Sequence, residues 1–330
     1  MKKHPLQVYL TVDTEASIAG AFADVTKKPQ LDIPVDCMVG NQSEGLGFLL
    51  RTLQHFGLRA TFFTESLQSR YFGVEPMQKR AAQIIAAGQD LQLHVHPCWL
   101  SFTDGLRNEI QPNDASTGRL ASQLTAIFQE AVDRFEAWGF GKPVAVRTGN
   151  FSTGLDTFTA CREAGLIYSS NIAAPLHPGL PTQLQLHQGF HLIDGVLELP
   201  LSSFWSYSLF GKPHRRIMAI TACSTAELSL ALEQAWQQDV EAVCILTHPF
   251  EFAKIVNEQS GECRRNKLNQ SRFINICRLI AENPTRYQCA TFSELPDKKH
   301  LIQQPEIKLQ NNYLQMLVRT LQNGLNDKIC

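Results

Sequence analysis

Short apolar runs rich in β-branched and aromatic residues alternate along the chain with longer segments whose apolar positions recur every three to four residues. The short runs lie near 6–12, 58–63, 89–95, 143–147, 166–171, 195–199, 242–247 and 287–292; helical periodicity occupies about 44–56, 75–87, 117–138, 152–164, 224–238 and 270–282. Such alternation predicts βα units and a mainly parallel sheet. Seven or eight strands in one series predict an α/β fold, a distorted (β/α) barrel rather than two separate sheets. Several helical segments run into glycine, as at Gly57, Gly88, Gly139 and Gly165, where left-handed backbone ends a helix without a Cβ clash. From Gln303 to Leu325 one more amphipathic helix is expected, with Leu309, Tyr313, Leu317 and Leu321 at helical spacing. The organisation expected is therefore a barrel domain over 1–296 and a C-terminal helical extension over 297–330 packed on its outside.

The connections between these elements are unequal. Those near 16–43, 98–116 and 200–220 are longer than a βα unit needs. Each follows the carboxyl end of a predicted strand, the face on which barrel enzymes build their sites. They are expected to form a substrate-facing rim, with polar residues such as Asp24, Lys27, Lys28 and Asp32 in the first.

Composition narrows the function classes. Thirty basic against 31 acidic side chains give a net charge of -1 over 330 residues, without the clustered positive charge that nucleic acid or an anionic membrane requires. No apolar run approaches a membrane span, and Met1 to Thr11 does not read as a secretory signal. Nine cysteines, odd in number and without a CxxC pair, point to reduced thiols and a cytoplasmic setting. Oligomeric state has no signature here.

Four strand ends carry candidate chemistry. The first strand ends Thr11-Val12-Asp13-Thr14-Glu15, and period-two alternation turns Asp13 and Glu15 to the same side. Their bland alternative is a helix cap and a solvated loop start. The third ends Leu93-His94-Val95-His96-Pro97-Cys98-Trp99, where two imidazoles at the same spacing can converge on one point; two satisfied histidines near a bend are the alternative. Carboxylate oxygen plus two imidazole nitrogens, with one position left open, describes a catalytic metal site. The fourth strand ends at Arg147, followed by Thr148-Gly149-Asn150, and the seventh at Thr247-His248-Pro249. Arg147 is expected to meet a carboxylate, and His248 stands where a proton donor or acceptor is wanted. Either residue alone is as well explained by a structural ion pair or a satisfied core histidine.

With these motifs in this order, the sequence resembles the polysaccharide deacetylases of carbohydrate esterase family four, from about Gln7 to Phe292, with Ala60-Thr61-Phe62-Phe63 and Gly88-Gln89-Asp90-Leu91 as further landmarks. The resemblance implies metal-dependent hydrolysis of acetyl groups on N-acetylated sugars, polymer, oligomer or sugar intermediate. It implies Asp13 as catalytic base, Arg147 as the group orienting it, His248 as general acid and His94 as a metal ligand. Three departures matter. Thr14 stands where the family places its metal carboxylate, passing that role to Glu15. Cys98 stands at the usual second histidine, so His96 is taken as the third ligand with Cys98 as the alternative. Gly149 and Asn150 replace a proline and an aromatic, leaving the Asn150 N–H as a candidate oxyanion donor. The implied cofactor is a divalent metal, zinc first, with cobalt, nickel or manganese as alternatives. Trp99 and Trp205, in connections on the site face, are candidates to stack on a sugar. The rival readings are a hydrolase of a non-sugar amide on the same barrel and a catalytically silent carbohydrate-binding protein.

Overall fold

Each of the eight apolar runs forms a strand of one sheet. In the computed structural model, which describes residues 4–24, 26–103, 106–107, 113–257, 261–295 and 307–328, these are β1 (Leu6–Thr14), β2 (Thr61–Glu65), β3 (Asp90–Val95), β4 (Ala145–Thr148), β5 (Tyr168–Ser169), β7 (Val196–Glu198), β8 (Ala242–Thr247) and β9 (Tyr287–Cys289). A ninth strand, β6 (His191–Ile193), pairs antiparallel with β7. The order is β6-β7-β5-β4-β3-β2-β1-β8. One edge of β1 is shared: Leu6–Val8 pair with β9, and Thr11–Thr14 with β2.

The sheet curls into an incomplete barrel. Ladder pairing stops at β8 on one side and at β7 with its partner β6 on the other, and irregular segments bridge the gap through single bonds. The Ser202 N–H donates to the Cys244 carbonyl (3.1 Å), Leu201 to Ile172 (2.9 Å) and Ile220 to Leu246 (3.0 Å). These bonds satisfy backbone groups that an open edge would leave unpaired.

Helices α1 (Leu46–Phe56), α2 (Glu75–Ala86), α3 (Ala121–Glu136), α4 (Leu155–Glu163), α5 (Thr225–Gln237) and α6 (Lys267–Glu282) cover the outside. Strand parity divides the core. Leu10, Phe62, Leu93, Val146 and Val243 join the large cluster that includes Leu53, Ile84, Phe128, Phe158 and Ile276 of the helices. Their strand neighbours Tyr9, Phe63, Ala145 and Cys244 pack instead with Phe190, Leu199 and Phe292 in a second cluster inside the barrel. Burial on both faces explains why these strands read as continuous apolar runs.

The C-terminal helix α7 (Tyr313–Lys328) departs from expectation. Leu309 is fully buried, but it lies in an extended stretch before the helix, where its carbonyl accepts the Trp205 N–H at 2.8 Å. Asn312 then caps the helix, its side chain accepting from the Gln315 N–H at 2.9 Å. The helical phase is thereby reset: Met316 and Arg319 are buried, whereas Tyr313 and Leu321 are 40% and 67% exposed. The stripe follows polar docking, Arg319 to Glu227 at 3.1 Å and Arg272 to Asn323 at 2.7 Å. Residues 303–306 of the expected helix lie outside the described residues.

The long connections are organised. In 16–43 an antiparallel bridge joins Ser17 and Gln30, a one-turn helix over Asp32–Asp36 is tied to Arg80 through both aspartates, and Met38–Val39 pairs with Gln42–Ser43. In 200–220 a hairpin of Ser203–Tyr207 and Pro213–Ile217 forms. Of 98–116, residues 104–105 and 108–112 lie outside the described residues, as does Cys330. Eight cysteines are described, all as free thiols. Among the described residues no helix is long and apolar enough to cross a membrane.

Candidate metal-dependent active site

The same parity that divides the core delivers the polar side chains to the barrel mouth. On β1 the alternate positions after Tyr9 are Thr11 and Asp13, with Glu15 next in the chain. On β3 the sequence Leu91, Leu93, Val95 faces the helices, leaving Gln92 and His94 inward. Arg147 follows Ala145 on β4, and His248 continues the inner series Cys244 and Leu246 beyond β8. Apolar strands thus end in titratable groups on one face and at one end of the sheet.

Three of these groups meet at one point. The Glu15 carboxylate Oε2 lies 3.0 Å from His94 Nε2 and 2.6 Å from His96 Nε2. Each imidazole is committed on its other nitrogen. His94 Nδ1 is 2.9 Å from the Arg147 carbonyl, which can only accept, so that nitrogen donates. His96 Nδ1 is 2.8 Å from Asp114 Oδ2. Both Nε2 atoms therefore face one carboxylate oxygen, an arrangement satisfied by a proton on Nε2 or by a cation among the three groups. Burial opposes ionisation of Glu15, but the charge of His96 and the hydrogen bonds from both imidazoles outweigh it and hold the carboxyl well below its usual range. Burial likewise opposes the His96 imidazolium, and the Glu15 charge with the Asp114 hydrogen bond raises it well above the ordinary histidine value.

One carboxylate oxygen and two imidazole nitrogens, with outer partners fixing each ring, fit a divalent transition metal. Cys98 lies on the other side of the His96 ring. Its thiol groups with His96 and Asp114, its N–H donates to Asp114 Oδ1 at 3.1 Å, and burial pushes it up to about 12. Close packing holds His96 in place: a Cβ on Gly149 would stand 2.2 Å from His96 Nδ1, and the buried Glu65 carboxylate accepts both the His96 N–H and, at 2.7 Å, the Leu67 N–H.

Beside this cluster stands an ion pair. Arg147, fully buried, donates from its Nη1 to Asp13 Oδ1 (2.6 Å) and Thr11 Oγ1 (3.0 Å), from Nη2 to Ser170 Oγ (2.8 Å) and from Nε to the Ser170 carbonyl (3.1 Å), with the Phe63 ring 4.3 Å from its guanidinium carbon. Asp13 Oδ2 is left facing His248 Nε2 at 3.9 Å. His248 Nδ1 lies 3.2 Å from Glu251 Oε1. Burial disfavours the His248 imidazolium, yet the Glu251 hydrogen bond and charge, with Asp13 beyond, raise it to about 9.

The substrate-contact expectations fare differently. Asn150 is exposed at the mouth in a left-handed conformation (φ 53°); its amide donates to Asp114 Oδ2 (2.8 Å) and its carbonyl receives His177 Nε2 (2.7 Å). Trp99 is corrected: it is 1% exposed and packed between Phe72 and Phe102, a core residue with no ring face for a sugar. Trp205 is half-buried in the 203–207 strand, its ring beneath Arg215 (4.7 Å) and its backbone bonded to the segment before α7. Glu198, buried at the end of β7, accepts the Asn171 and Ile172 N–H groups, both at 2.9 Å.

No family model and no curated protein sequence matches the chain. Solved polysaccharide deacetylases are what it is similar to. A protein described as a polysaccharide deacetylase from Mycobacterium smegmatis is 17% identical, with 92% of this chain and 96% of that one covered and a TM-score of 0.47. The carbohydrate esterase family 4 pseudoenzyme BA3943 of Bacillus anthracis is 12% identical over 90% and 67% of the two chains, with a TM-score of 0.44. A family 4 carbohydrate esterase from Streptomyces lividans, solved with acetate, is 13% identical over 85% and 90%, with a TM-score of 0.40.

Proposed function

We propose that this protein is a metal-dependent hydrolase that removes acetyl groups from an N-acetylated sugar. The observation that carries the reading is the meeting of Glu15, His94 and His96 through single atoms within 3.0 Å of Glu15 Oε2, beside a buried base and a charged imidazole. Glu15, His94 and His96 would hold a divalent cation, which would supply a Lewis acid for the acetyl carbonyl. Asp13 takes the proton of the attacking water; Arg147 fixes its rotamer through Oδ1, leaving Oδ2 to meet that water. His248, charged at neutral pH with Glu251 behind it, gives its proton to the departing amine. Base and acid face each other across 3.9 Å, so one group takes a proton where the other delivers one. Acetate release from N-acetylhexosamines and their oligomers, measured with added zinc, cobalt, nickel or manganese, tests the reading. Metal-stimulated release abolished by Asp13→Asn is expected. Release from non-sugar amides alone, or none from any amide with metal bound, contradicts it.

A further inference from the structure

The site opens into a groove whose lining changes character with distance. Next to Glu15 is a cavity of 550 Å³ walled by Ile33, Pro34, Phe250, Ala253 and Ile255. That volume suits a whole small-molecule ligand, far more than an acetyl group. It continues into a second cavity of 440 Å³, which shares Ser17, Gln30, Ile33 and Ile255 with the first and is bounded by Lys27 and Lys28. Phe250 and Ile255 are 44% and 52% exposed along this path.

The geometry also says which half of the substrate enters. The Phe250 ring stacks on His248, centroids 4.9 Å apart at 28°, and His248 is the group facing the departing amine. The groove therefore begins on the leaving-group side. Antiparallel pairing of Ser17 with Gln30 brings the lysine segment back beside the chain that leaves Glu15, and the Lys27 side chain lies along Gly20, where a Cβ would stand 3.6 Å from its Nζ.

We infer that the amine-bearing half of the substrate carries an apolar segment, lying against Ile33, Pro34, Phe250 and Ile255, and beyond it an anionic group, phosphate or carboxylate, held at Lys27 and Lys28. This rests on the hydrolase reading, which assigns His248 to the amine. A bare neutral sugar leaves both the apolar wall and the two ammonium groups unused. An amine joined through an apolar spacer to an anion uses both.

Product amines test this without turnover. Calorimetric affinities of the full-length, metal-loaded protein are compared for 6-aminohexyl phosphate, 6-aminohexanoate and neutral 6-aminohexanol. At least one anionic amine is expected to bind about tenfold more tightly than the alcohol, the scale of two solvent-facing ion pairs, and raised salt should shrink the preference. Whichever anion binds more tightly names the group. In Lys27→Gln/Lys28→Gln the preference should fall below about twofold, while Lys79→Gln, on α2 and paired with Glu75, should keep it. Equal or undetectable binding of all three amines, a preference surviving the double substitution, or an equal loss in Lys79→Gln overturns the inference. Acetate release is read separately. Anion preference without hydrolysis of any amide retires the hydrolase reading, and hydrolysis without anion preference retires the groove.

Discussion

Replacing Glu251 with Gln separates the charge behind His248 from its shape. Glu251 Oε1 faces His248 Nδ1 at 3.2 Å, and Oε2 accepts from Thr247 Oγ1 at 2.6 Å and the His248 N–H at 3.1 Å. A glutamine of the same size can keep two of these acceptor contacts but not the negative charge. Raising an imidazole from 6.5 to about 9 corresponds to roughly 3 kcal/mol in favour of the charged form. Without Glu251 the remaining support comes from Asp13 at 3.9 Å and from Glu15, against the cost of burial. The charged form is the proton donor, so activity is present below the histidine's pKa and lost as pH rises through it. Wild type should hold its rate to about pH 9, and the variant's alkaline limb should fall to about pH 7. At pH 8 that takes the protonated fraction from about nine-tenths to about one-tenth, a loss near ninefold in kcat, whereas at pH 6 the two enzymes should agree within about twofold. A pH profile of acetate release from pH 5.5 to 9.5 reads this directly. An alkaline limb that does not move, or an equal loss at every pH, would refute the assignment of His248 as the acid tuned by Glu251.

Arg147→Met strands the Asp13 carboxylate in a buried site and should cost about 3–5 kcal/mol of stability; chemical denaturation should show part of that loss restored when Asp13→Asn is added. Gly149→Ala places a methyl group into the His96 ring, so metal affinity measured by competition with a chelating dye should drop at least tenfold while the thermal midpoint moves little. Trp99→Ala should destabilise by about 3–5 kcal/mol, as for other buried aromatics, with KM of the surviving folded enzyme near wild type; a changed KM with unchanged stability would return Trp99 to the substrate.

Much of this architecture is legible in the chain because parallel strands buried on both faces leave long apolar runs, and all eight runs became strands. The inner groups were legible for a related reason: Asp13, His94, Arg147 and His248 each stand where an apolar run stops, and parity fixes their common face. What was not legible depends on chain segments distant in sequence. Asp114 comes from the long connection after β3, and nothing near it marks it as the partner of His96 Nδ1. Glu251 and Glu65 did carry signals, an acid three residues after His248 and an acid closing the β2 run, but neither points to its partner without the fold. Trp99 read as a loop aromatic because the turn over Pro97–Ser101 folds it back into the core, and α7 lost its expected stripe because Arg319 is drawn inward by Glu227. The first rim segment is also more firmly built than its polar composition suggests: Leu31 and Val35 are buried, so a shortening confined to 22–28 tests specificity more cleanly than one extending to Asp36.

The meeting of Glu15, His94 and His96 is tested most directly by metal stoichiometry. Chelator-stripped protein titrated with zinc, followed by mass spectrometry under native conditions and calorimetry, should bind one ion per chain, and His94→Ala, His96→Ala and Glu15→Gln should each abolish stoichiometric binding. Cys98→Ala should retain it. An ion kept by His96→Ala and lost by Cys98→Ala would make the Cys98 thiol the third ligand in place of His96, and a wild-type chain that binds no divalent metal while still releasing acetate would contradict the account altogether.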